Sequence, residues 1–334
     1  MKKITALLLA LFVLVGALAG CGKQNDTNQT DKLSIVTTIF PEYDWVREIL
    51  GDKADNAEIT MLLDNGVDLH SYQPTADDIV KISDCDLFIY VGGESDGWVE
   101  DALRNAANRN MKVINLLEVL GDSVKTEEIV EGMQEEEHEH EDAHAHDDAE
   151  EHEHEEEADE HVWLSLKNAK MLVRVISKAL QELDPDNKDI YAANADAYVK
   201  KLSALDADYQ AAVDAASNKT ILFGDRFPFR YLVDDYGLRY YAAFVGCSAE
   251  TEAGFETISF LAKRVDEWKL PCVLTIEGAQ HKIAETIVRN TTTKNQKVLT
   301  MDSMQSTTTQ DVKNGTTYLS VMEKNLSVLK EALR

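Results

Sequence analysis

The chain has 334 residues, with 61 acidic against 33 basic side chains and a formal net charge of -28 at pH 7 with histidine neutral. That balance argues against nucleic acid and anionic lipid surfaces as partners. The charge is concentrated, because 16 acidic residues and no Lys or Arg lie between Glu135 and Glu160.

Met1-Lys2-Lys3 is a short basic start, and Ile4 to Leu18 is almost wholly apolar before Leu18-Ala-Gly-Cys21. A basic start, an apolar run of this length and small residues at its end predict an export signal over 1–20 rather than a spanning helix. With Cys21 directly after Leu-Ala-Gly, the segment resembles a lipoprotein signal. That resemblance implies lipid attachment at Cys21 and a chain anchored to the membrane from outside. Residues 21–32 are polar and read as a tether. Cys85, Cys247 and Cys272 remain besides Cys21. An odd number leaves at least one thiol free, and the pair expected to bridge, if one does, is Cys247–Cys272.

From Leu33 onward, strands alternate with helices. Strands are expected at 33–40, 57–63, 87–91 and 111–116, with helices opening at Pro41 and spanning 77–83 and 98–107. Residues 126–160 are acidic and His-rich, with too few large apolar residues to bury a core, and are expected to be a disordered loop. Helical spacing resumes over 166–183. After Pro185 it continues over 188–215, where Tyr191, Ala195, Tyr198, Leu202, Leu205 and Tyr209 form one apolar stripe. Strands at 220–223, 238–244, 272–276 and 297–300 then alternate with helices at 229–235, 252–268, 283–289 and 316–333. The fold class is therefore α/β: two lobes, 33–184 and 218–334, each a parallel sheet flanked by helices, joined by one long rigid helix over 185–217.

Of nine histidines, six lie in the acidic loop. His70 follows the second strand in Leu69-His-Ser-Tyr-Gln-Pro-Thr75, where open α/β sheets place ligands. His161 lies in Asp159-Glu-His-Val-Trp-Leu164, where the chain returns from the loop. Neutral imidazole suits Zn2+ and related ions, although a lone His more often packs or caps. Glu277 and His281, in Thr275-Ile-Glu-Gly-Ala-Gln-His281, sit at the mouth of a strand. No HExxH, GxSxG or P-loop pattern supplies a nucleophile or base with supporting context, so no enzyme is expected.

The two His segments, in this order around a His-rich loop, resemble the metal-binding lipoproteins of bacterial zinc and manganese ABC importers. Those proteins show "His-x-Tyr/Phe-x-Pro" and "Asp-x-His-x-Trp", and the resemblance runs from Leu33 to the C-terminus, through the long helix and the Met301-Asp-Ser303 step. It implies capture of a transition metal outside the membrane, Zn2+ foremost with Mn2+ possible as cargo, and delivery to an ABC permease by a lipid-anchored monomer. It also implies that His70, His161 and Asp302 are ligands. The family's third ligand, a His or Glu early in the second lobe, falls here on Arg226, which cannot ligate. Asp225 or His281 would have to replace it, although Asp225 equally suits a helix cap and His281 a helix's first turn. Glu277 would orient a ligand from behind. A manganese or iron carrier of the same class is the alternative, followed by a surface adhesin and an extracellular zinc hydrolase.

Overall fold

A computed structural model describes residues 32–134, 157–248, 252–278 and 281–334. The expected export signal, the lipidation residue Cys21 and residues 135–156 of the acidic loop lie outside the described residues.

Four parallel strands form the first sheet: β1 (Leu33–Thr37), β2 (Ala57–Met61), β3 (Leu87–Tyr90) and β4 (Lys112–Asn115), in the spatial order β2-β1-β3-β4. Leu87, Phe88 and Ile89 are fully buried, as expected of an inner strand covered on both faces. The helices are α1 (Phe40–Leu50), α2 (Ala76–Asp84), α3 (Val99–Arg104) and α4 (Leu116–Leu120). Pro41 occupies the first turn of α1, and the Thr75 hydroxyl caps α2 by accepting from Asp78 N at 3.2 Å. Both are helix-starting signals carried by the local sequence.

Two longer helices follow, α5 (Leu166–Leu183) and α6 (Lys188–Ala215). The second half contains β5 (Thr220–Leu222), β6 (Arg226–Phe227), α7 (Arg230–Tyr236), β7 (Arg239–Tyr241), β8 (Phe244–Val245) and α8 (Phe255–Trp268). It continues through β9 (Cys272–Thr275), α9 (Lys282–Asn290), β10 (Lys297–Thr300), α10 (Thr309–Lys313) and α11 (Tyr318–Ala332). β5 pairs with β7 and β9 with β10, all parallel, and a parallel bridge from Phe223 to Leu274 joins the two pairs.

The expected α/β alternation, parallel sheets and long helix are present. α6 is nevertheless no bare strut. The Tyr209 hydroxyl donates to Met322 O at 2.6 Å, and the Asn194 amide donates to Ile49 O at 2.9 Å. Its apolar stripe is buried against α1, α5 and α11 in one continuous core that also holds Trp45, Trp163, Phe223 and Tyr318. Burying each such side chain fully contributes roughly 1.5–3 kcal/mol.

Three expectations change. The strand expected over 238–244 is two, β7 and β8, because Ala243 N turns to donate to Asp225 O at 3.2 Å and so starts a separate two-residue ladder between β8 and β6. The flanks of the expected loop 126–160 are packed: Thr126 and Ala158 form an antiparallel bridge, and Gln134 N donates to Ala243 O at 2.9 Å. Met133 is buried between them, so a single apolar side chain anchors a flank that composition alone assigned to the loop. The Cys247–Cys272 bridge does not form. All three described thiols are free, since β9 holds Cys272 buried in the sheet while Cys247 faces a cleft. Among the described residues, no helix is long and apolar enough to cross a membrane.

Candidate metal centre

His70 sits in a 3-10 turn, Leu69–Ser71, which follows β2 and the loop after it. Buried Leu69 anchors the turn, and Asp68 Oδ1 caps it by accepting from His70 N at 3.1 Å. The ring's Nδ1 lies 2.8 Å from Ser95 Oγ and 3.4 Å from Glu160 Oε2. A carboxylate on that side favours a proton on Nδ1 and leaves the Nε2 lone pair free.

His161 lies in a deeply buried stretch, with Asp159 and Glu160 each 2 % exposed and His161 to Leu164 at 0 %. Trp163 Nε1 donates to Ser303 O at 2.8 Å, and the hydroxyls of Tyr318 and Tyr231 donate to Trp163 O (2.6 Å) and Asp159 O (2.8 Å). Residues from the second half thus hold this segment rigid. Asp159 Oδ1 is 2.9 Å from His161 Nδ1 and also accepts from His161 N at 2.9 Å. This again places the ring proton on Nδ1. Two glycines permit the packing: a Cβ on Gly93 would lie 2.3 Å from Glu160 Oε1, and one on Gly246 would lie 2.9 Å from His161 Cε1.

The two free ring nitrogens face each other, with His70 Nε2 3.2 Å from His161 Nε2. Imidazole nitrogens sharing one tetrahedral Zn2+ stand about 3.3 Å apart, given Zn–N bonds of about 2.05 Å. With both Nδ1 atoms turned to carboxylates, both Nε2 atoms can offer their lone pairs to one cation placed between them.

Gln305 borders the same gap. Oriented so that its nitrogen donates to Asp68 at 2.7 and 3.1 Å, its amide oxygen accepts from His161 Nε2 at 2.6 Å, a proton that a bound cation would displace. The Arg226 guanidinium donates to Asp68 Oδ2 at 2.6 Å and to Ser248 O at 3.2 Å. Burial would raise the Asp68 carboxyl, but the charge and hydrogen bond of Arg226 outweigh it and hold the group below its ordinary value. Burial acts in the same way on Glu160 and is outweighed by the His70 ring beside it and by hydrogen bonding from Ser95, so that carboxyl too lies low. Both are anionic, and a cleft of about 410 Å3 lined by Glu94, Glu127, Glu157, Glu160 and Cys247 opens onto His70. Such an acidic mouth draws cations inward.

Of the residues singled out in the sequence, His70 and His161 are brought together, and Asp302, Asp225 and His281 are not gathered with them. Asp302 Oδ1 accepts from Met304 N at 2.8 Å, and burial followed by the charge of Glu277 raises its carboxyl to about 6. Asp225 turns its oxygens to Arg226 N (2.9 Å) and Ile276 N (3.4 Å), bracing β5 against β9. Burial raises its carboxyl as well. His281 occupies the N-cap position of α9. Glu277 does stand behind the site: it accepts from Ser303 N (2.6 Å), Ser303 Oγ (2.7 Å) and Gln305 N (3.1 Å), clamping the turn that presents Gln305. Among the described residues, the one group of three His, Cys, Asp or Glu ligand atoms lying mutually within 4.8 Å is His70, His161 and Cys247. Neither Cys247 nor Gln305 stands out in the sequence as a ligand: a cysteine in an exported chain suggests a disulfide, and Gln305, two residues beyond the Asp302-Ser303 step, is no usual metal ligand.

Residues 35–332 match the family described as zinc-uptake complex component A, periplasmic. A zinc-binding lipoprotein, AdcA of Streptococcus pneumoniae serotype 4, is 33 % identical over 99 % of this chain, which spans 61 % of that protein's length. The high-affinity zinc uptake system protein ZnuA of Bacillus subtilis is 31 % identical over 97 % of this chain and 95 % of its own. Among solved structures, the Zn(II)-bound ZnuA-like domain of Streptococcus pneumoniae AdcA superposes with a TM-score of 0.68 at 30 % identity, covering 90 % of this chain and 99 % of that domain. The metal-dependent lipoprotein YcdH of Bacillus subtilis gives a TM-score of 0.70 at 26 % identity, with 90 % and 99 % covered. With nearly its whole folded length matched, this chain belongs to the family of the periplasmic component A of zinc-uptake complexes.

Proposed function

We propose that this chain captures Zn2+ outside the cytoplasm and hands it to the permease of an ABC importer, without turning it over. One observation carries the reading: two imidazole Nε2 atoms stand 3.2 Å apart, each with its Nδ1 beside a carboxylate. That spacing and tautomer suit a borderline-soft divalent ion, and the acidic cleft supplies an approach. Zn2+ ranks above Mn2+ because both nitrogen donors are imidazoles and the carboxylates nearest to them serve as hydrogen-bond partners, whereas Mn2+ favours a shell rich in oxygen. The names of the relatives, which are zinc-binding and zinc-uptake proteins, support the same cargo and an importer as partner. Cys21 would carry a lipid that keeps the protein at the membrane, a role supported by the residues before it and by the lipoprotein relatives.

Native mass spectrometry of the stripped protein, offered Zn2+ and Mn2+ in competition, tests this. One retained Zn2+ per chain is expected, lost in His70→Ala and in His161→Ala. Retained Mn2+ would make the manganese carrier the better description, and no stoichiometric metal would end the reading.

A further inference from the structure

The two histidines supply two ligands, and a closed site for Zn2+ needs four. Among the described residues, no carboxylate of the second half is gathered with the two histidines. Arg226 holds Asp68, Asp302 is turned onto its own backbone, and Asp225 braces the sheet. What that half does bring is a thiol. The short β6–β8 ladder leads into a turn whose Gly246 lies against the His161 ring, and the next residue is Cys247. The turn is pinned on both sides of the sulfur: Cys247 N donates to Glu127 Oε1 at 2.9 Å, and Arg226 donates to Ser248 O at 3.2 Å. Its Sγ lies within 4.8 Å of the ligand atoms of both histidines. Zn–N bonds of about 2.05 Å and a Zn–S bond of about 2.3 Å place nitrogen and sulfur some 3.6 Å apart. A closure of about 1 Å therefore completes three sides of a tetrahedron.

We propose that the Cys247 thiolate is the third metal ligand, making the capture site His70-His161-Cys247 with the Gln305 amide oxygen at its fourth corner. The proposal rests on the metal-capture reading and deepens it. On binding, the S–H bond breaks, the sulfur electron pair forms the S–metal bond, and the proton leaves to bulk water; nothing is oxidised or reduced. Without metal the thiol stays protonated, because burial and then the charges of Glu127, Asp159 and Glu160 oppose a thiolate. A divalent cation reverses that balance, since a coordinating thiol gives up its proton. Sulfur is a soft donor, so the site discriminates for Zn2+ and Co2+ and against Mn2+. Arg226 fits the same scheme. A site closed by a thiolate already carries one negative charge, and the guanidinium neutralises Asp68 beside it.

X-ray absorption at the zinc edge of the Zn2+-loaded full chain carrying Cys21→Ser, so that the N-terminal thiol contributes nothing, reads the donor set directly. One sulfur at about 2.3 Å with nitrogen and oxygen at about 2.0–2.1 Å is expected, and the sulfur should vanish when Cys247→Ser is added. Loading that variant should also narrow the preference for Zn2+ over Mn2+ by about tenfold or more, at least the scale on which supporting partners of a metal site count. Bound zinc with only nitrogen and oxygen neighbours overturns the thiolate while leaving metal capture intact. Sulfur that persists in Cys247→Ser overturns it equally, and a chain that holds no zinc at all sinks both readings together.

Discussion

Asp68 and Arg226 are each about a fifth exposed, 21 % and 19 %, and bonded at 2.6 Å. Removing one partner of a fully buried pair costs about 3–5 kcal/mol; at this exposure water screens part of the loss. Arg226→Ala should therefore destabilise the fold by about 1–3 kcal/mol in urea melts. The same change leaves Asp68 uncompensated beside the histidines and takes a cation out of the site's surroundings. Zn2+ affinity should then rise by titration calorimetry even as stability falls. A fall in both would mean that Arg226 shapes the turn more than it sets the charge. The pair also explains how a family ligand position can hold a guanidinium: the side chain reaches past the gap to Asp68 and to Ser248 O.

At the level of elements, α11 clamps the segment that carries His161. The Tyr318 hydroxyl donates to Trp163 O at 2.6 Å, and Tyr318 N donates to Asp44 Oδ2 of α1 at 2.9 Å, all of it buried. Tyr318→Phe removes the hydroxyl donor and leaves the Trp163 carbonyl without its partner, a loss of about 1–2 kcal/mol. The expected readout is a lower urea midpoint with one Zn2+ still bound, because Asp159 continues to hold the His161 ring. Loss of the metal itself would show that helix α11, and not Asp159, sets the ring's position. The 3-10 turn of His70 depends on nearer contacts, Leu69 in the core and the Asp68 cap. The two histidines therefore differ in how they respond to distant substitutions.

For the molecule as a whole, three of the buried carboxyls are raised strongly. Burial pushes Glu42 up to about 8 and Asp44 and Asp96 to about 7. At Glu42 three donors to Oε2, from Thr38 N, Thr38 Oγ1 and Ile39 N, only partly oppose that burial. A group with its folded value above its unfolded one contributes stability that is full below the unfolded value, near 4.5 for Glu42, and is lost as pH rises towards 8. The melting temperature should fall between pH 5 and pH 8, and it should fall less in Glu42→Gln; equal falls would assign the slope to other groups. The acidic segment makes a separate prediction. Its flanks are tied by the Thr126–Ala158 bridge, so deleting 135–156 should leave one tight Zn2+ site and remove only weak, multiple binding in calorimetry. Loss of the tight site would place a ligand within the deleted stretch.

The order of strands and helices was legible because it is written locally. Pro41 and Thr75 start helices, apolar runs such as Leu87-Phe-Ile mark covered strands, and the stripe from Tyr191 to Tyr209 marks α6. His70 and His161 were legible for a related reason, since each lies in a short motif at the end of an element. The second half of the site was not, because a ligand set is a meeting of atoms far apart in the chain. Asp302 and Asp225 have the right chemistry, yet backbone N–H groups engage one oxygen of Asp302 and both of Asp225. Cys247 looks like half of a disulfide until a two-residue ladder and a glycine bring it to the histidines. The sequence alone therefore carried the fold class and the two histidines that meet in the structure. Tertiary packing decided which side chains face the gap, because direction and distance across the cleft are properties of the folded backbone and not of residue type.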